Sequence, residues 1–224
     1  MASSGTTSFN ITIDEVIEEA YERCGVRTNS GNDIRSARRS LNLLFSEWGN
    51  RGINLWKVKS KTETLVNGQV TYNTPSDCND VLEAVVTVSG GTQQSLTKIS
   101  RSEYIAIPNK TATGTPSQYY VDRQITPTIS LYLAPDTSAV TNIFYYYLAR
   151  IEDVGAYTNT SDMPFRFFPC MVSGLAFYLS QKIAPDRIQA LKLLYEDELK
   201  RALEEDGQRT SVYITPNVYY PQGS

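Results

Sequence analysis

NDIRSARRSLNLLFSEWGNRGINLW, residues Asn32–Trp56, is the stretch whose reading decides the fold. Ile34, Ala37, Leu41, Leu44, Phe45 and Trp48 recur at three- and four-residue steps, the spacing that gathers side chains on one face of a helix. Arg35, Arg38, Arg39, Asn42, Ser46 and Asn50 fall mainly on the other side, so the helix covers a core rather than passing through one. Leu41, Leu44, Phe45 and Trp48 are its expected contribution to that core. Gly49 and Gly52 supply a stop, after which Leu55 and Trp56 lead into a different periodicity. Any water-soluble domain satisfies such spacing, so periodicity defines an element and no activity.

Upstream, Thr12 followed by Glu15 is a capping-box pattern, in which a hydroxyl and a carboxylate serve backbone amides at the helix start. Ile13, Val16, Ile17, Ala20, Tyr21 and Cys24 continue it as an apolar stripe closed by Gly25. Helices over 12–24 and 32–50 are expected, joined as a hairpin. The acids Asp14, Glu15, Glu18, Glu19 and Glu22 then meet Arg35, Arg38 and Arg39 only at the interface edge, where exposed ion pairs contribute little.

Downstream the period becomes two. Val58, Ser60, Thr62 and Thr64 alternate with Lys57, Lys59, Lys61 and Glu63, and Asn67-Gly68 reads as a hairpin turn. Further strands are predicted at Val81–Ser89, Gln93–Ile99, Gln118–Asp122, Ile129–Leu133 and Val140–Ala149, with a short helical segment at Ser100–Ile107. Their connections are too short for crossovers, so the sheet is expected to be mostly antiparallel. Helical spacing returns with Phe168, Val172, Leu175, Ala176, Leu179 and Ile183. After Pro185 it continues through Ile188, Leu191, Tyr195, Leu199 and Ala202 to Gly207. The expected class is α+β: a helical bundle made from the N-terminal pair (1–55) and the C-terminal pair (153–207), a mostly antiparallel β-rich insertion (56–152) and an extended C-terminal tail (208–224).

Composition narrows the chemistry. The chain has 224 residues, a formal net charge of −3 and no histidine. The missing imidazole removes the commonest general base and metal ligand together, and no phosphate-binding glycine loop or nucleophile elbow occurs. We therefore expect no enzyme, metal or cofactor. A predicted pI near 5.1 argues against a protein that grips nucleic acid by neutralising phosphates. Cys24, Cys78 and Cys170 lack metal or redox spacing and read as buried thiols in a reducing compartment. No secretory leader or membrane span is predicted.

Two stretches look made for contact. In NIFYYYLAR, Tyr145 and Tyr147 lie on one strand face and Phe144 and Tyr146 on the other. Tyrosine, apolar in body and polar at the tip, suits either packing or a subunit interface. In the tail, Val212, Tyr213, Ile214, Val218, Tyr219 and Tyr220 carry more apolar surface than a linker needs, while Pro216 and Pro221 oppose helix.

SLNLLFSEWGNRGINLW resembles the second helix of the head-to-tail adaptors of short-tailed bacteriophages, also called tail accessory or tail tubular A proteins. FFPCMVSGLAFYLSQKIAPDRIQALKLLYEDELKRALEEDGQR, residues 167–209, resembles that family's closing helical pair. The resemblance implies a virion neck protein, assembled in the host cytoplasm. It would form a homo-oligomeric ring of twelve copies that binds the portal protein above and a tail or nozzle protein below, with genomic DNA passing through unread. It also implies that Val212, Tyr213, Ile214, Pro216, Val218, Tyr219 and Tyr220 form the portal-docking element, expected to be extended and largely disordered until the partner is present; the competing reading folds that tail back onto its own helices. Another class, a carbohydrate-binding or glycoside-cleaving module on the β insertion, requires exposed aromatics beside paired acids. A lumen that lets a polyanion slide should not hold phosphate, so weak duplex binding at physiological salt is expected. Submicromolar affinity with a steep inverse salt dependence in a fluorescence-anisotropy titration would contradict it.

Overall fold

The computed structural model describes residues 5, 9–27, 30–52, 55–156 and 158–206. Helix α1 (Ile13–Cys24) starts where Thr12 N and Oγ1 both donate to Glu15 Oε2 at 2.7 Å, and it ends at Gly25, whose φ of 77° suits glycine. Helix α2 (Gly31–Asn50) begins one residue before the predicted start. Ser30 Oγ accepts from Asp33 N at 3.3 Å, and Asp33 returns a carboxylate to Ser30 N. Short helix α3 (Arg101–Ala106) is capped in the same way by Ser100 and Glu103. Helices α4 (Phe168–Ile183) and α5 (Ile188–Asp206) each follow a 3-10 turn, the second opened by Pro185.

Helices α1, α2, α4 and α5 share one apolar core. Leu41, Leu44 and Trp48 are fully buried and Phe45 nearly so. Trp48 stands 5.9 Å from both the Phe45 and Phe167 rings, and its Nε1 donates to Tyr195 Oη at 2.9 Å, tying α2 to α5. Helix α4 carries Ser173, Gly174 and Ala176 on its buried surface. A Cβ on Gly174 would lie 2.8 Å from Leu44 Cδ2 and 3.0 Å from Tyr195 Cε2, so three helices come together there only because the residue has no side chain.

Among the described residues ten strands lie between α2 and α4: β1 (Val58–Thr64), β2 (Thr71–Asn73), β3 (Cys78–Val88), β4 (Gln93–Ser95), β5 (Thr97–Lys98), β6 (Thr113–Gly114), β7 (Gln118–Asp122), β8 (Thr128–Tyr132), β9 (Ala134–Pro135) and β10 (Val140–Ala149). They form sheets ordered β1-β10-β3-β4 and β2-β8-β7-β5 and a small β6-β9 pair. The inner faces of the two larger sheets share a second core. Tyr119 Oη crosses from β7 to donate to the Leu82 carbonyl of β3 at 3.0 Å.

Pairing is antiparallel except for the two-residue contacts β5–β7 and β6–β9. The Asn67-Gly68 reading needs correction. It does not close a hairpin, because β1 pairs with β10 while β2 pairs with β8. Gly68 has φ 73°, as a turn requires, but its N–H donates to the Pro135 carbonyl at 2.8 Å. The turn thus carries the chain from one sheet to the other. The fold is α+β, and no helix among the described residues is long and apolar enough to cross a membrane.

Trp48→Ala is expected to cost about 3–5 kcal/mol, the range for deleting a core aromatic. Trp48→Phe should cost less but leave Tyr195 Oη without its donor. Gly174→Val should cost at least about 1–3 kcal/mol through overpacking. Urea denaturation read by far-UV circular dichroism measures all three.

Candidate interaction surfaces

Strand β10 lies between β1 and β3, so its alternation sorts the aromatic run into inside and outside. Ile143, Tyr145 and Tyr147 pair in register with Val86, Ala84 and Val81 and face the second sheet. Tyr145 is 1% exposed and Tyr147 6%, and burial pushes both phenols upward in pKa. Tyr147 Oη also donates to Asp77 Oδ1 at 3.4 Å. Of the four residues predicted as a candidate subunit or tail interface, Tyr145 and Tyr147 are therefore spent on the core. Phe144 and Tyr146 point away from it, edge-to-face at 5.1 Å.

Around those two rings the outer face of the sheet sets Val58, Leu82, Val85 and Leu148 beside the polar Ser60, Thr62 and Glu83, all of them exposed or half-buried among the described residues. Tyr146 is 45% exposed, Leu82 42% and Val58 36%, while Val85 and Leu148 are half-buried. The register explains the grouping: Val58 opposes Leu148, and Val85 opposes Phe144. Leu82 is added by an irregularity, since Tyr146 pairs with Glu83 and Tyr147 with Val81, leaving Leu82 between them as the extra residue of a bulge. The sequence reading missed Leu82 and Val58. Alternation alone could have flagged Val58, but a bulge has no signal in VLEAVV.

The base of the insertion is pinned rather than open. Lys57, only 4% exposed, is paired with Asp162 and lies 3.8 Å from Glu152, and burial draws its pKa below the usual lysine value against the pull of Glu152. Val154 N donates to Asn42 Oδ1 at 2.9 Å and Arg38 donates to the Gly155 carbonyl. Beside this link a cleft of about 480 Å³ opens between α2 and residues 149–153. Its acids, Glu152 and Asp153, are consecutive, and Glu152 already faces Lys57.

The surface required for carbohydrate is not assembled among the described residues. Trp48 is inside the helical core and Trp56 packs on Phe167 at 4.4 Å. Tyr104 stacks on Tyr120 at 5.2 Å beneath Lys110, but Glu103 on the same helix accepts from Ser100 N at 2.6 Å, which holds its carboxyl below the usual range. Cys24, Cys78 and Cys170 are buried and unbridged, with thiols pushed up by desolvation, Cys170 to about 12; such thiols are poor nucleophiles. No group of three acids, cysteines or histidines suited to a metal occurs among the described residues.

At the far end of the helical core, Asp206 on the last turn of α5 is paired with Arg166, just before α4. The chain therefore leaves α5 beside the start of α4. The predicted portal-docking residues Val212, Tyr213, Ile214, Pro216, Val218, Tyr219 and Tyr220 lie outside the described residues.

The described residues form an α+β fold whose outer sheet face carries exposed apolar side chains. The family model of the SU10 adaptor protein matches residues 11–219, and the chain belongs to that family of phage head-to-tail adaptors. No curated protein matches it.

Two neighbouring substitutions separate the faces of β10. Tyr145→Ala should destabilise by about 3–5 kcal/mol as a core aromatic, whereas Tyr146→Ala should stay within about 1 kcal/mol. Equal shifts in urea unfolding would show that the faces are not divided this way.

Proposed function

We propose that the chain is the subunit of a homo-oligomeric ring, twelve copies in the family's usual form, that joins the capsid portal to the tail and forms part of the DNA channel. The observation that carries this reading is the family match across nearly the whole chain, joined to a sheet face on which Leu82, Tyr146 and Val58 are exposed among the described residues. Exposed contiguous apolar surface is characteristic of assembly sites. A closed ring needs a heterologous contact, in which this face of one subunit meets a different surface of the next. Helices α1, α2, α4 and α5 act as the bundle, with the β insertion projecting from it and residues 208–224 as the portal-docking tail. The tail or nozzle protein would bind below, and DNA would pass through without sequence recognition.

One tail binds weakly in this scheme, because burying about four apolar side chains at roughly 1.5–3 kcal/mol each is offset by the entropy of ordering some ten residues. A ring presenting many tails makes later contacts intramolecular, so assembly becomes firm although each contact is marginal.

Electron microscopy of the purified chain mixed with its portal tests the reading. The intact chain should form rings on the portal, Leu82→Glu/Tyr146→Glu should remain folded but fail to close rings, and deletion after Gly207 should remain folded but fail to join the portal. Normal rings from the double variant would exclude the sheet face as the subunit contact. Normal portal joining by the truncated chain would exclude the tail as the docking element.

A further inference from the structure

A groove of about 590 Å³ runs between the start of α1 and the start of α4. Its apolar wall is Phe9, Ile11, Phe168, Pro169 and Val172, and Glu15, Glu19 and Arg23 edge it along α1. Phe9 is 68% exposed and the adjoining Phe165 59%, their rings 5.7 Å apart. Two large aromatics exposed side by side call for a cover.

The chain supplies a candidate for that cover at the groove's own end. The Arg166–Asp206 pair fixes the end of α5 against the residues that open α4. A second depression, lined by Arg166, Pro169, Glu198, Arg201, Ala202 and Glu205, shares Pro169 with the groove, so the surface runs on from the last turn of α5 to Phe168 and Val172. Beyond Arg209 the sequence TSVYITPNVYYPQGS carries no charged side chain and six large apolar ones. The groove edge from Glu15 to Arg23 spans eight helical steps, about 12 Å at ~1.5 Å each. About four extended residues cover that length at ~3.3 Å each, so residues 210–220 are more than the groove edge requires.

We propose that in the unassembled subunit the chain's own residues 210–220 occupy this groove, and that the portal must displace them. This rests on the adaptor reading and adds its regulation. A segment tethered a few residues away is present at roughly millimolar effective concentration, so even a weak contact holds it in place. The aromatic and β-branched side chains would lie on Phe9, Phe165, Phe168 and Val172. Tails covered in this way are withheld from one another and from wrong partners until a ring of portal sites competes for many at once.

The test uses the full chain without portal. Glu19→Cys and Asn217→Cys are introduced together and treated with a short bismaleimide; the native cysteines are buried and react slowly. Mixing isotope-labelled and unlabelled chains distinguishes links within a chain from links between chains. The proposal expects links within one chain, reduced at least tenfold by adding Phe9→Glu/Phe165→Glu, two exposed positions whose replacement leaves the thermal melt unchanged. Links only between chains would place the tail on a second copy and overturn it, as would absence of linking or indifference to the groove substitutions. Because no portal is present, failure here is separable from failure of the tail to dock there. If both hold, Phe9→Glu/Phe165→Glu should tighten portal binding several-fold in a pull-down titration.

Discussion

The hydrogen bond from Trp48 to Tyr195 joins residues 147 positions apart, and the rest of the fold depends on that closure being sustainable. Holding such distant points together costs about 4 kcal/mol of chain entropy beyond a constant. Much of this is offset by the insertion itself. Strand β1 pairs with β10 from Val58↔Leu148 onward, so the two ends of the insertion emerge side by side and the helices on either flank are already near one another. Around Trp48 the contacts then multiply: Glu47 accepts from Tyr178 at 3.1 Å, and Arg51 reaches both Glu47 and Glu196. Each of these joins α2 to a C-terminal helix or braces a residue that does.

This arrangement explains which parts of the fold were legible in the sequence. The apolar stripes of α1, α2 and α5 name most of their buried residues, because a helix covering one core has a clear inner side; on α4 the stripe places Val172, Leu175, Ala176 and Leu179 inside, but Ile183 is 39% exposed and Cys170, Met171, Ser173, Gly174 and Ser180 are buried as well. Strand partners are less local. Asn67-Gly68 has the chemistry of a hairpin turn and does turn the chain, yet the seven residues of β1 align with ten-residue β10, and only three-residue β2 follows the turn. The longer ladder decides the pairing, and sequence proximity does not. In β10 the alternation was visible, but aromatics occupy both faces, so burial had to come from the sheet packed against Tyr145. The two-residue parallel pairs β5–β7 and β6–β9 are set by their neighbours and have no periodicity of their own.

Arg38 and Asn42 show a second kind of illegibility. Both sit on the polar side of α2, where a solvated face is the simplest reading, but they serve the irregular link between β10 and α4. That link has no ladder to satisfy its backbone, and buried unpaired peptide groups are costly. The adjacent α1 contributes too, with Ile13 N donating to the Asn159 carbonyl at 3.0 Å. Lys57, at the end of the 3-10 turn just ahead of β1, completes the junction. A buried ammonium between two carboxylates is a weak source of net stability, but it requires Glu152 and Asp162 to sit at one place, which constrains how the insertion meets the helices.

The proposed assembly places a last constraint on the strands, because the sheet that carries Leu82 and Tyr146 on its outer face also ends, among the described residues, in the edge strand β1. Among the described residues β1 pairs only with β10, so its other backbone edge has no strand partner there. An exposed edge invites indiscriminate strand addition, and charged side chains, lysine above all, oppose it. Lys59 and Lys61 occupy alternate positions along that edge, and both are ion-paired, with Asp77 and Glu63. The intervening Ser60 and Thr62 add little apolar area to the outer face beneath Tyr146 and Phe144. The sheet thus discourages association through its edge while leaving its face free. The proposed ring would depend on that division: side-chain shape on a face selects one partner surface, whereas backbone pairing at an edge would accept almost any extended chain.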